Sequence, residues 1–164
     1  MSEEEVASFL AHERTVTCAT IGPRGWPHLM PLWYVLREGP GRESPPRLWS
    51  WTYAASQKVR NLERDHRATL QVEKGEEYQE LRGVMLECEV VLHRGLDTVA
   101  ALGAEILARY ATPRGEESAP ASPPPEPPDA IVAMVEQQAA KRVALEFVEL
   151  RRASWDHRKL EGTY

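Results

Sequence analysis

The sequence predicts a mainly β protein, a small closed barrel of six strands with helices on its periphery. Six segments have the alternating or Thr/Val/Ile-rich composition of strands, and several are apolar on both faces. Two-sided apolar strands are expected where one face lines a barrel and the other is covered. Three or four segments with helical spacing lie between the strands. The length of 164 residues corresponds to one domain, because domains average about 150 residues.

The first half of the chain alternates helix and strand signals. Ser2 and Glu5 form a capping-box pattern before a short helix that we expect to end near residue 14. Strands are predicted over 15–21, 27–36 and 47–53. The second contains Pro31, which cannot donate a ladder hydrogen bond and therefore predicts a bulge or a sheet edge. Ser56 then caps a predicted helix over Gln57–Arg64.

The second half has the same character, interrupted by one unusual segment. Strands are predicted over 68–73, 83–93 and 141–150, with a helix capped by Asp97 and another restarting at Asp129. Seven of the 13 prolines fall within residues 113–128, which hold no core-forming side chains. We expect this segment to be an extended or disordered insert between two helices of a single domain, residues 1–164.

Charge and composition exclude several classes of function. The formal net charge is −5 and the pI about 5.6, so nothing attracts bulk nucleic acid or an anionic membrane. Two cysteines cannot form a disulfide framework, and no metal-ligand spacing occurs. The acidic N-terminus lacks the apolar region of a signal peptide, and no apolar run approaches about 20 residues. We therefore expect a cytoplasmic protein without nucleic-acid, membrane or metal partners.

The start of the helix at residue 57 is the first candidate site. Lys58 and Arg60 lie in its first turn after Ser56, where cations oppose the helix dipole at a cost of a few tenths of a kcal/mol each. A docked anion, with phosphate as the natural candidate, would compensate for this. The alternative is that both cations are solvated or pair with nearby acids such as Glu63.

Aromatic residues lead to the same place in the chain. Trp26, Trp33, Trp49 and Trp51 fall within residues 26–51, and rings near a phosphate site suit a stacked planar ligand. The alternative is a role in the core or in a subunit interface. We find no nucleophile arrangement, so an enzyme of this kind would take its chemistry from a cofactor.

These segments, in this order, resemble the pyridoxamine-phosphate-oxidase-like split barrels and, among them, the flavin and deazaflavin oxidoreductases. The carrying stretches are 19–22, 27–33, 51–52, 56–58, 60–62, 67–70, 81–84 and 154–160. The resemblance implies a homodimer of six-stranded split barrels, with a cofactor in each of two clefts at the subunit interface. It also implies an oxidoreductase that needs no side-chain acid or base.

The resemblance assigns roles residue by residue. Met30, Pro31, Leu32 and Trp33 would lie beside an isoalloxazine-like ring, and Trp51 and Thr52 would flank the ring and its phosphate-bearing tail. The phosphate-binding turn would be Ser56, Gln57 and Lys58, with Arg60 beside it. Arg82 would lie on a strand that approaches the cofactor. No catalytic side chain and no metal ligand is assigned.

Departures from the vitamin B6 oxidases sharpen the expectation. His28 and Trp33 replace basic residues of the second strand, Gly83 replaces a glutamine near the ring, and the C-terminal arginine motif is not recognisable. The resemblance therefore favours coenzyme F420, a deazaflavin, with hydride transfer to or from an unsaturated small molecule. FMN is the alternative cofactor. A second class of function is a non-catalytic protein that sequesters a flavin, a deazaflavin or haem.

Overall fold

A single antiparallel sheet organises the chain in the computed structural model, which describes residues 1–41, 44–111 and 129–160, without the side chains of 129–133. The strands are β1 (Thr15–Ile21), β2 (Pro27–Trp33), β3 (Val35–Arg37), β4 (Arg47–Tyr53), β5 (Arg67–Lys74), β6 (Arg82–His93) and β7 (Arg142–Asp156). The helices are α1 (Glu3–His12), α2 (Gln57–Arg64), α3 (Leu96–Ala111) and α4 (Asp129–Ala139). Short 3₁₀ turns occupy Tyr78–Glu80 and His157–Lys159.

The sheet curls until its two edges meet. Its strand order is β2-β1-β5-β6-β7-β4-β3, so β2 and β3 lie at opposite edges. Only Tyr34 separates these two strands in the chain, and this is possible only if the edges are close in space. The Ser50 hydroxyl on β4 donates a hydrogen bond of 2.7 Å to the carbonyl of Trp33 at the end of β2. The result is a split barrel, and the predicted fold class is confirmed.

The core fills the barrel and continues under one outer face. Inside, apolar side chains from the strands pack with residues of α1 and α2. They include Phe9, Val16, Val59, Leu62, Leu70, Val84, Leu86 and Phe147. A second cluster lies outside β3, β4 and β7, where α3 packs with Val99, Leu102 and Ile106. Both faces of β4 are therefore covered, as its two-sided apolar pattern predicts.

Three details of the predicted elements need correction. The expected strand over 27–36 is divided at Tyr34 into β2 and β3, so the sheet has seven strands instead of six. Asp97 lies inside α3, which begins at Leu96, and does not cap it. The last strand runs to Asp156, well beyond residue 150, because β6 pairs along its whole length. Pro31 does lie on an edge strand, as expected.

The Pro-rich insert over residues 113–128 lies outside the described residues, and its character stays a prediction. No helix in the described ranges is long and apolar enough to cross a membrane.

Candidate functional site

A pocket of about 450 Å³ opens where β2, β4 and α2 meet α3 and the start of β7. Its size is within the range of small-molecule sites. The side chains that line it are Thr15, Pro31, Leu32, Trp33, Trp51, Thr52, Lys58, Leu107 and Arg142. Six of these were expected from the sequence, although they come from three separate stretches of chain. The wall is mostly apolar, with two cations.

Lys58 is the most unusual residue of this pocket. It is only 7% exposed, and its ammonium donates a hydrogen bond of 3.0 Å to Thr52 Oγ1. Among the described residues no carboxylate lies within ion-pair distance of it. Burial lowers the pKa of Lys58 because water is removed from its charged form. An anion in the pocket would supply the missing counter-charge.

The alternative interpretation of the two cations holds only for one of them. Glu63, the acid nearest in sequence, pairs with Arg94. Arg60 is exposed on α2 and fits a solvated residue. Lys58 is buried and has no acidic partner within the described ranges, so this alternative does not fit Lys58 there.

The N-terminus of α2 supports an anion beside Lys58. Ser56 has the extended backbone of an N-cap, but its side chain makes no capping hydrogen bond. Its Oγ is buried without a hydrogen-bond partner among the described residues. The first turn contains no acidic residue, and first-turn N–H groups have no acceptor within the helix. Phosphate oxygens accept hydrogen bonds from such N–H groups and fit the dipole. The first turn of α2 and Lys58 are therefore suited to a phosphate group, whereas Ser56 itself does not line the pocket.

Two tryptophans form the aromatic part of the wall. Trp51 packs against α3 at Gly103, where an added Cβ would lie 2.4 Å from a Trp51 ring atom. Trp33 stacks on Tyr110 with ring centroids 4.3 Å apart and an interplanar angle of 11°. Trp33 nevertheless stays half exposed. Trp51 therefore has a packing role in addition to lining the pocket, and the rings suit a planar ligand.

Five expected site residues do not line this pocket. Met30 is exposed on β2, and Gln57 is exposed with its amide donating to Asn61 Oδ1 at 2.8 Å. Ser56 and Arg60 stay nearby on α2 without reaching the pocket. Arg82 is remote within the chain: its guanidinium lies 5.2 Å from the Phe9 ring centroid, in a separate pocket under α1. The assignments of these residues to a cofactor stay predictions.

Three pocket residues were missed: Thr15, Leu107 and Arg142. Arg142 is the most informative of them, because it is the second cation. It faces the pocket only because β7 pairs with β4, which sets Arg142 opposite Tyr53. The pairing of Tyr53 with Arg142 joins strands about 90 residues apart in the chain, and no local sequence pattern predicts it. The sequence feature that could have indicated it is the position of Arg142 as the first residue of a strand whose next residues are apolar.

The buried thiols offer no nucleophile. Burial raises the pKa of Cys18 and of Cys88 to about 12, so both stay protonated at neutral pH. No group of His, Cys, Asp or Glu suited to a metal occurs in the part of the chain that the structure describes.

Comparison with known families assigns most of the chain to one of them. The family model described as pyridoxamine 5'-phosphate oxidase matches residues 2–142. The chain belongs to this family. No curated protein matches the sequence, so the family is defined by its model and by solved structures.

Solved structures of the same fold carry different descriptions. A conserved hypothetical protein from Mycobacterium tuberculosis is 36% identical, with a TM-score of 0.80 over 100% of this chain and 90% of that one. A protein described as F420 reductase is 18% identical, with a TM-score of 0.63 over 93% and 98%. The haem storage protein HutZ from Vibrio cholerae is 12% identical, with a TM-score of 0.64 over 94% and 93%. The last two establish the fold alone.

Proposed function

We propose that this protein is an oxidoreductase that binds coenzyme F420 in the pocket described above and moves a hydride to or from an unsaturated small molecule. The observation that carries the proposal is the buried ammonium of Lys58, which has no acidic partner among the described residues and lies on α2, whose start no side chain caps. Such a charge is costly in a folded protein unless a ligand neutralises it. A phosphate-bearing cofactor with a planar ring matches both this cation and the tryptophan wall.

The bound deazaflavin supplies the hydride chemistry, and the protein side chains bind and orient it. Lys58 binds the phosphate, and Thr52 holds the ammonium in place by accepting its hydrogen bond. Trp51 is fixed by its packing on Gly103 and limits where the ring can lie. The apolar wall excludes water from the cofactor. No side chain is required as a general acid or base.

We also propose that two copies of the chain form a homodimer around two such sites. The β1–β2 hairpin exposes an unusual set of large apolar side chains: Ile21, Trp26, Leu29, Met30 and Trp33. Leu29, Met30 and Trp33 lie on β2 itself, an edge strand that forms one wall of the pocket, and Ile21 and Trp26 lie at the turn that leads into it. Large apolar side chains concentrated on one hairpin are typical of an interaction surface. A second copy that covered them would close the open side of the pocket.

Binding measurements test the cofactor assignment. The protein is titrated with F420, FMN and haem side by side, and the fluorescence or absorbance of each ligand is followed. Tight, stoichiometric binding of F420 supports the proposal, whereas a stronger and stoichiometric uptake of FMN makes FMN the cofactor. Reduced F420 is then mixed with candidate acceptors. If it stays inert with every unsaturated acceptor, or if haem alone binds, the protein sequesters its ligand and the enzyme assignment is wrong.

The dimer is tested by light scattering after size exclusion. We expect twice the chain mass of 18.5 kDa for the wild type and a monomer with weakened cofactor binding for Leu29→Glu. Leu96→Glu is the matched control, because Leu96 is also an exposed leucine but lies at the start of α3. A wild-type monomer that binds cofactor at full affinity would refute the shared site.

A further inference from the structure

Arg142 is a second cation of the pocket, and its surroundings differ from those of other arginines on the sheet. Its guanidinium carbon lies 4.4 Å from the ring centroid of Trp51 and 4.1 Å from that of Tyr53. Nη2 makes one long hydrogen bond, 3.4 Å, to Gln138 Oε1. Nε is buried with no hydrogen-bond partner among the described residues. The two rings thus hold the guanidinium while much of its donor capacity stays unused.

Other arginines on or beside the same strands form ion pairs with carboxylates. Arg47 pairs with Glu146, and Arg152 pairs in a bidentate manner with Glu149. In the described ranges Arg142 has no carboxylate partner, although it is partly buried. A guanidinium presents its donors as a planar fork that matches two anionic oxygens. An anion with two oxygens in one plane would match the donors that Arg142 leaves unused.

We propose that Arg142 is a second anion-binding residue of the pocket and acts together with Lys58 on the same ligand. This inference rests on the proposed function. Lys58 and Arg142 line the same cavity, and both lack an acidic partner in the described chain, so the pocket carries two uncompensated positive charges in a protein of net charge −5. Lys58 supplies a point charge at the start of α2. Arg142 supplies the planar fork from β7 and selects ligands that carry a phosphate, or a carboxylate close to it.

The binding preference for phosphorylated ligands tests this inference. The probes are FMN against riboflavin, which differ by the phosphate, and F420 against its chromophore without the phosphate-bearing tail. We expect Arg142→Gln to weaken FMN and F420 binding at least about tenfold, as for loss of a charge-assisted hydrogen bond. The affinities for riboflavin and for the tail-free chromophore should change less than about twofold. The affinity of Arg142→Lys for FMN and F420 should lie between those of the wild type and of Arg142→Gln, since lysine keeps the charge but lacks the planar fork of donors.

The contacted anion is identified by comparing the two ligand pairs. Loss of affinity for F420 with FMN unchanged assigns Arg142 to the carboxylates of the F420 tail, and loss for both assigns it to the phosphate. Equal weakening of FMN and riboflavin would overturn the inference, because it would mean that Arg142 only supports the Trp51 and Tyr53 rings. Arg151→Gln is the charge-matched control on the same strand, with a side chain 77% exposed.

Lys58→Gln separates failure of this inference from failure of the proposed function. If Lys58→Gln lowers the preference for FMN over riboflavin and Arg142→Gln does not, the pocket binds phosphate and only the role of Arg142 is wrong. If neither variant changes the preference for either ligand pair, the pocket is not the anion site, and the proposed function fails with the inference.

Discussion

Replacing Lys58 by methionine should weaken ligand binding and at the same time stabilise the ligand-free protein. Methionine keeps the unbranched apolar stem and removes the charge. The ammonium has one neutral partner, Thr52 Oγ1 at 3.0 Å, and no acidic one in the described chain. An opposite sign for binding and stability is expected only where a residue serves a ligand at the expense of the fold.

The magnitudes follow from these contacts. A charge-assisted contact to phosphate contributes about 1.5–3 kcal/mol, so the affinity for FMN or F420 should fall about 10- to 150-fold. Loss of the hydrogen bond from the ammonium to Thr52 costs the fold about 1.5–3 kcal/mol, the range for a bond with a charged partner. Removing a desolvated, unpaired charge gives back more than this, because the effective penalty is several kcal/mol for a buried ion. The melting temperature should rise, by about 2–4 °C for each kcal/mol of net gain.

The pH dependence gives an independent check. Burial lowers the pKa of Lys58 in the folded protein below the ordinary 10.5. At a pH between the folded-state pKa and 10.5, the unfolded chain therefore binds more protons than the folded one. Stability of the ligand-free wild type therefore gains a contribution as the pH rises through this window. The Lys58→Met variant lacks that contribution, and the difference between the two proteins should narrow at alkaline pH.

Calorimetric titration and thermal melts of the ligand-free proteins measure both effects. Lys141→Met is the control, since Lys141 is exposed and does not line the pocket; it should change neither quantity. A lower melting temperature for Lys58→Met with unchanged ligand affinity would refute the reasoning, because Lys58 would then be a structural residue.

Three further predictions concern the elements that position the site. Gly103→Ala should lower the melting temperature and weaken ring binding, because the added Cβ meets the Trp51 ring at 2.4 Å; a clash of about 1–3 kcal/mol outweighs the helix gain of up to about 1 kcal/mol. A more stable variant with full affinity would contradict this. Tyr34→Phe should cost about 1–2 kcal/mol in denaturant unfolding, since the buried hydroxyl lies 2.7 Å from two carbonyls at the end of α1; no change in the unfolding midpoint would refute it. For Asp156, the hydrogen bond from Arg158 lowers the carboxyl pKa from 3.8 to about 2, so its stabilising contribution is present above pH 3.8 and is lost as the pH falls to about 2. Asp156→Asn should therefore flatten acid unfolding in that range, and identical acid profiles would disprove the assignment.

Local sequence patterns determined most of the secondary structure. The capping box at Ser2 forms as predicted, and the bounds of α2 and of β4 agree with the expected ones. Each of these elements is predicted by a few neighbouring residues: a capping residue, an alternation of apolar and polar side chains, or a run of β-forming residues. The break at Tyr34 could not be predicted, because it depends on the sheet edges meeting there and on the hydroxyl reaching α1.

The sequence by itself determined the mainly β class, the cation-bearing start of α2 and the tryptophan-rich strands, since each is a property of consecutive residues. Tertiary structure decided which of these cations is buried in the pocket. Lys58 is buried against Thr52 while Arg60 stays in solvent, and burial is a property of what packs over a residue. It also decided that Arg142 joins the pocket and that Arg82 lies elsewhere within the chain. The positions of Arg142 and Arg82 both depend on pairing between strands far apart in the sequence. Such pairing forms only together with the whole barrel.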